Sequence, residues 1–454
     1  MRETISAAVI SLFVLATACG GKSGDDDDGD DDDQPDACVG IECQVVNCGA
    51  MGLPSTAITG TVFAPNGTLP LNGVTVYVNR DPVPAFTEGV GCDRCSTTLP
   101  GSAVAQATSD AAGNFRLENV PAGDNIPLIV TTGKWRRQIV IPTVNQCADN
   151  AIGAGETRLP KNKAEGDIPK IAITTGNADS MECLVRKLGI EDSEVTRSSD
   201  AGRIHLYAGN GVDAFKNGFA GASANRTFTG AEPFWSDVNT LKTYDIVILS
   251  CEGAQLQNAT NKSQNALDAM KEYADVGGRV FASHWHNIWI SGKFQGGVGT
   301  PTPDNWDTIG TWADDGNFDG TEFIDEVSNP KGTLFADWMV NVGGSTTRGS
   351  FPVVQGRTTS QTLDTTRSEL WVRQTNATGT PQMFQFTTPQ EVANDQRCGK
   401  VVFTDMHVSG SVQNQNSDYP DSCVGGAGNL DLTPQEKALA FMFFDIASCV
   451  GGLF

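Results

Sequence analysis

Basic residues are scarce in this chain of 454 residues: 31 Lys and Arg stand against 54 Asp and Glu, for a formal net charge of −23. No nucleic acid is expected as a partner, because displacing phosphate counterions needs a basic face. Histidine is rarer still, with four in all, so imidazole chemistry has few possible sources. Beyond the first fifteen residues there is no apolar run long enough to span a bilayer. Glycine and proline are not lacking: 50 Gly and 21 Pro imply many turns, while 39% apolar residues can still build substantial cores. The length corresponds to two or three ordinary domains.

The amino terminus reads as an address. Arg2 precedes the short apolar stretch Ile5 to Leu15, and Ala16-Thr17-Ala18-Cys19 follows. This pattern resembles a bacterial lipoprotein signal over residues 1–18. The resemblance implies a lipid on Cys19, the membrane as a partner, and the cell envelope of a Gram-negative-type bacterium as location. Gly20, rather than Asp, after the cysteine resembles signals for export to the outer membrane. Residues 1–36 hold two basic and ten acidic residues, a net of −8 that leaves −15 for the rest. Eight of the nine residues from Asp25 to Asp33 are aspartates. Such a run repels itself and forms an extended tether rather than a packed element. With the Cys-containing segment after it, the tether covers residues 19–54.

Eleven further cysteines suit an oxidising compartment, where disulfides are the default. Cys92-Asp93-Arg94-Cys95 has zinc or redox spacing, but no second pair repeats it, so structural bridging is expected. An odd count leaves at least one thiol free or paired with another chain. Cys251, a thiol after an apolar strand, is expected to be packed or bridged, although it could also be the odd one out, and the connectivity cannot be read.

Two folded regions follow, so the expected fold is multidomain: a small β-sandwich plus an α/β doubly wound (flavodoxin-like) domain with a long insertion. Between residues 55 and 147 apolar residues alternate in short runs, such as Ile58-Thr59-Gly60-Thr61-Val62 and Val74-Thr75-Val76-Tyr77-Val78. Turn residues separate them at Pro65-Asn66-Gly67, Asp110 to Asn114 and Pro121-Ala122-Gly123-Asp124. Short strands with polar turns make a β-sandwich. The runs at Ile58–Val62, Gly73–Val76, Ser109–Phe115 and Val120–Gly123 resemble the carboxypeptidase regulatory-like, transthyretin-like domain. That resemblance implies a spacer or adhesive module without catalysis. Residues 148–168 read as a linker.

From residue 169 to 454 buried strands alternate with helices. Lys170–Gly176, Tyr244–Ser250, Arg279–Ala282 and Lys400–Thr404 are the strands. Met181, Leu184, Val185 and Leu188 mark one helix, and Ala266, Leu267, Met270 and Tyr273 another that ends at Gly277-Gly278. A last helix opens with Thr433 as cap, Pro434 in the first turn and Glu436 three residues after the cap. Such alternation makes a parallel, doubly wound sheet. The strand-loop segments Tyr244–Ser250, Gly277–His284 and Gly399–His407 resemble the class I glutamine amidotransferase-like superfamily, especially its trehalose-utilisation (ThuA-like) branch. An insertion spans about 287–397.

Ligands of such a sheet sit beyond the carboxyl ends of the strands. Those ends carry Thr174 and Thr175, Cys251 and Glu252, Ser283-His284-Trp285-His286, and Asp405-Met406-His407. The family resemblance puts Ser283 at the nucleophile position and His407 at the base position. Phe281 and Trp285 flank this segment where a nucleophile elbow needs small residues. A metal site would use His284, His286 and His407, completed by Asp405, Glu252 or Cys251, and would suit zinc. The third alternative is a set of hydrogen-bonded residues lining an inactive cleft.

In the insertion Asp315, Asn317 and Asp319, with Glu326 further on, fit a calcium loop, against the alternative of a polar surface turn. Thr174, Thr175, Trp285 and Trp289 could line a cleft for a small polar ligand or glycan, although most tryptophans of this region read as core. The leading expectation is a non-catalytic envelope lipoprotein whose α/β cleft holds such a ligand. A hydrolase or amidotransferase-like enzyme and a purely structural surface adhesin are the alternatives.

Overall fold

Strand formation in the first half follows from β-branched residues spaced two apart between turn residues. The structure, a computed structural model, describes residues 40–451 apart from 97, 154, 256–261, 293–305, 314–315, 376–378, 409–416, 424 and 427. Strands β1 (Ala57–Thr61), β2 (Thr75–Asn79), β3 (Ala103–Thr108), β4 (Asn114–Glu118), β5 (Gly123–Thr132), β6 (Trp135–Val144) and β7 (Asp149–Ala151) form two sheets, ordered β4-β1-β7 and β3-β2-β5-β6. All pairs are antiparallel except β1 with β7. Ile58, Val76, Leu117 and Val130, drawn from both sheets, are fully buried in one core. The turn into β4 depends on Asp110, whose Oδ1 accepts from Ala112 N and Asn114 N at 2.8 Å each. Gly113 in that turn has φ +79°, and a Cβ there would lie 2.8 Å from Val62 O, so only glycine fits.

Further strands are β8 (Ile171–Thr174), β9 (Val195–Arg197), β10 (Ile204–Ala208), β11 (Thr229–Gly230), β12 (Ile246–Leu249) and β13 (Arg279–Ser283). They continue through β14 (Gly310–Trp312), β15 (Asn317–Ile324), β16 (Ser350–Arg357), β17 (Ser360–Leu363), β18 (Glu369–Arg373), β19 (Pro381–Thr388) and β20 (Gly399–Thr404). Eleven of these form one sheet in the order β11-β10-β8-β12-β13-β20-β19-β18-β15-β16, with β9 beside β10. Every pair from β11 to β20 is parallel, and every pair from β20 to β16 is antiparallel. The segment read as an insertion therefore extends the sheet, apart from the separate β14–β17 pair.

Strand β12 is apolar throughout because both its faces are covered. Ile246 and Ile248 enter the core that holds Leu184 and Val185 of helix α1 (Met181–Lys187) and Leu439 and Phe443 of helix α4 (Pro434–Ala447). Val247 and Leu249 enter a second core with Leu267 and Met270 of helix α2 (Gln264–Asp275). Helix α3 (Gly332–Asn341) adds Phe335 and Trp338 to the first core. Thr433 caps α4 in a reciprocal capping box with Glu436, and Pro434 occupies the first turn, as the sequence pattern indicates.

The chain is thus built of several β-sheets with flanking helices. Residues 148–168 are packed rather than loose: β7 pairs with β1, Leu159 and Ile168 are buried, and Arg136 reaches Asp167 at 2.8 Å. Gly40–Phe454 forms one compact unit. Disulfides join Cys48 to Cys147, Cys92 to Cys398, Cys95 to Cys449 and Cys183 to Cys423. Cys92 and Cys95 are therefore structural, each bridging to the far end of the chain. Cys43 is also disulfide-bonded, and Cys251 is the free cysteine among the described residues. No helix among the described residues is long and apolar enough to cross a membrane. Cys19 and the acidic tether lie outside the described residues.

Candidate functional site

The strand order assembles the site. Because β13 lies between β12 and β20, the residues just past its carboxyl end are flanked by those following its two neighbours. His284 follows β13, Cys251 follows β12 and His407 follows β20. Cys251 Sγ lies 3.1 Å from His284 Nδ1, and His407 Nε2 lies 3.3 Å from the same nitrogen. All three residues are buried, and one ligand atom from each falls within 4.8 Å of the others. His284 has φ +44°, an unusual conformation for a non-glycine residue. Such a backbone costs on the order of 1–3 kcal/mol and persists where the surroundings impose it. At this sharp turn from strand to 3₁₀ helix, the projected side chain is His284.

Burial governs the charge states. The Cys251 thiol is pushed up to about 12, chiefly by desolvation, with Asp179 and Glu252 adding to the effect. Burial holds His407 well below the ordinary histidine range, reinforced by His284 and Arg357. Without an added positive charge the cluster therefore favours a protonated thiol and a neutral His407. The His407 backbone carbonyl accepts from Gln435 Nε2 of α4, which anchors that strand end.

The other residues singled out from sequence have different partners. Ser283 Oγ donates to Asp179 Oδ2, not to a histidine. His286 uses both ring nitrogens, Nε2 with Ser250 O at 2.9 Å and Nδ1 as acceptor from Trp289 Nε1 at 3.0 Å. The 3₁₀ turn of His284–Asn287 rotates it away from His284. Glu252 is ion-paired with Lys262, and both side chains are buried. Asp405 accepts from Thr359 Oγ1 at 2.6 Å and Ser360 N at 2.9 Å. Thr175 Oγ1 donates to Val212 O at 2.7 Å, and Thr174 is buried. Trp285 tilts against His284 with ring centroids 4.7 Å apart, whereas Trp289 packs on Trp235 in the second core.

Asn317 and Asp319 belong to the extended strand β15, and Glu326 pairs with Arg348. Those placements give a hairpin strand in place of the loop that a calcium site of this pattern needs. Asp315 lies outside the described residues.

Sequence reasoning passed over three buried acids. Asp179 and Glu182 sit past β8, where the position after a strand of a parallel sheet was itself the available signal. Desolvation pushes Asp179 up to about 6 and Glu182 up to about 8. Glu322 of β15 is fully buried, with neither carboxylate oxygen hydrogen-bonded among the described residues.

No protein-family model and no curated protein matches the chain. Among solved structures, a type II cohesin–X-dockerin complex from Acetivibrio cellulolyticus is 15% identical, covering 32% of this chain and 78% of that one, with a TM-score of 0.16. A cytoplasmic protein of Salmonella typhimurium is 11% identical over 62% of this chain and 98% of that one, with a TM-score of 0.31. A GH42 β-galactosidase is 8% identical over 64% of this chain and 32% of that one, with a TM-score of 0.29. With TM-scores this low, these likenesses decide nothing about fold, ligand or partner.

Proposed function

We propose that this is a lipid-anchored protein of the cell envelope whose α/β domain holds a transition-metal ion, zinc by preference, on Cys251, His284 and His407. The reading of the architecture is a β-sandwich followed by a doubly wound sheet. Counted from β8, the neighbours β10, β8, β12, β13 and β20 follow the flavodoxin-like order 2-1-3-4-5 once the short β9 and β11 and the later strands β14 to β19 are set aside. The site then lies beyond the carboxyl ends of the strands, close to the β8–β12 switch point where such sheets bind ligands.

One observation carries the metal: a thiol and two imidazoles converge on one buried spot, with 3.1 Å and 3.3 Å separations. Tetrahedral zinc with ordinary Zn–S and Zn–N bonds places sulfur and nitrogen about 3.6 Å apart and two nitrogens about 3.3 Å apart. The two separations from His284 Nδ1 fall within about half an ångström of those values, and the ligand atoms of Cys251 and His407 lie within 4.8 Å of each other. A thiolate with two imidazoles suits zinc or copper and disfavours calcium. Three protein ligands leave a fourth position for a small polar molecule, which retains the ligand-binding role inferred from sequence.

Nucleophilic catalysis is the weaker reading, since a thiol held near 12 is a poor nucleophile and Ser283 is bonded to an acid. Elemental mass spectrometry of the full chain, purified in detergent without chelator, tests the proposal. About one zinc per chain, lost in His407→Ala with the fold intact, is the expected result. A wild-type chain that stays metal-free after dialysis against zinc overturns it.

A further inference from the structure

One short segment touches all three of the strand ends that carry the cluster. After β8, residues 176–180 cross the carboxyl ends of β12, β13 and β20. Ala178 N donates to the carbonyl oxygen of Cys251 itself at 3.0 Å. Asp179 Oδ2 accepts from Ser283 Oγ, the residue before His284. Asp179 Oδ1 accepts at 2.8 Å from Val408 N, the residue after His407, and at 2.8 Å from Ser180 N in its own loop. The Asp179 carboxylate is fully buried, so these bonds face no competition from bulk water. The approach is close: a Cβ on Gly176 would lie 2.2 Å from Cys251 O, so the segment can seat itself there only with glycine.

Resting on the metal reading above, the geometry points to Asp179 as the positioning residue of the centre. It is not a ligand, because each of its oxygens is already engaged by a donor. Its carboxylate ties the turn that bears His284 to the loop that bears His407, and its neighbour Ala178 fixes Cys251. Ser283 becomes the strut between that brace and His284, whose backbone would not hold φ +44° unaided. Outer groups that orient metal ligands are worth about 10- to 100-fold in metal affinity.

Asp179→Asn tests the assignment, since it keeps size and shape but turns an amide NH₂ toward either Ser283 Oγ or Val408 N. The full chain in detergent is titrated with zinc against a chromophoric chelator, and separately with cobalt(II). The expected result is zinc binding about 10- to 100-fold weaker, an altered cobalt absorption spectrum, and an unchanged far-UV circular dichroism spectrum. Ser283→Ala should weaken zinc in the same direction by less, and Ser283→Thr, which keeps the hydroxyl, should restore it.

Asp179→Asn that binds zinc as tightly as wild type, with the same cobalt spectrum, overturns the assignment. If Asp179→Asn does not fold, the Ser283 pair decides, and equal affinity of the Ala and Thr variants overturns it. A wild-type chain that binds neither metal instead overturns the metal reading beneath it.

Discussion

At the scale of single residues, burial sets the chemistry of this protein more than neighbouring charge does. Glu182 shows the consequence for stability. Its carboxyl, pushed up to about 8 by desolvation from an ordinary 4.5, stays protonated in the fold while the unfolded chain releases the proton above that ordinary value. Its contribution to stability is therefore fully present below pH 4.5, declines as pH rises toward 8, and is constant above. Each unit of such a difference is worth about 1.4 kcal/mol. Glu182→Gln should match wild type near pH 4 and melt at a higher temperature at pH 9. Melting curves across that range check the sign, and a variant less stable than wild type at pH 9 would refute it.

At the scale of elements, helix α4 is held at its start by two devices that share one side chain. Glu436 closes the capping box with Thr433 and also accepts from Lys187 Nζ at 2.8 and 2.9 Å. Lys187 and Glu436 are both buried, and the pair joins α1 to α4. Removing one partner of a buried ion pair strands the other charge and costs about 3–5 kcal/mol. Lys187→Met should lower the unfolding free energy by that amount in urea titrations. Adding Glu436→Gln should recover part of the loss, because the stranded charge is then gone. A Lys187→Met loss below about 1 kcal/mol, the range of exposed pairs, would show that the pair is not desolvated.

At the scale of the whole molecule, strands β1–β7 and the strand–helix region that follows share one interior. Trp135 of β6 packs against Phe443 and Phe444 of α4, with ring centroids 6.4 and 6.0 Å away. Trp338 Nε1 of α3 donates to Pro70 O at 2.8 Å. The Cys92–Cys398 and Cys95–Cys449 disulfides cross the same boundary. Arg279 of β13 donates to the carbonyls of Gly277 and Cys398 beside them. We expect a single calorimetric unfolding transition whose van't Hoff and calorimetric enthalpies agree. Two separated transitions would mean that residues 55–147 and 169–454 unfold independently.

Local patterns were legible without coordinates. The alternation around Ile58 and Val76, the apolar run at Ile246–Leu249, the Thr433 cap and the structural use of Cys92 and Cys95 all follow from rules acting within a few residues of chain. The segment from residue 287 to 397 was less so: its strands join the main sheet through β19 and β20, a pairing that no periodicity announces. The site divides in the same way. Cys251, His284 and His407 were readable as strand-end chemistry, and His286 and Asp405 looked equally eligible.

Residue type and strand position alone determined that shortlist. Only the tertiary structure chose within it, because strand order put β13 between β12 and β20, and because a positive φ turned His284 toward its neighbours while the next turn carried His286 away. Proximity between residues more than 30 and 120 positions apart is a property of sheet order, which a linear chain does not display.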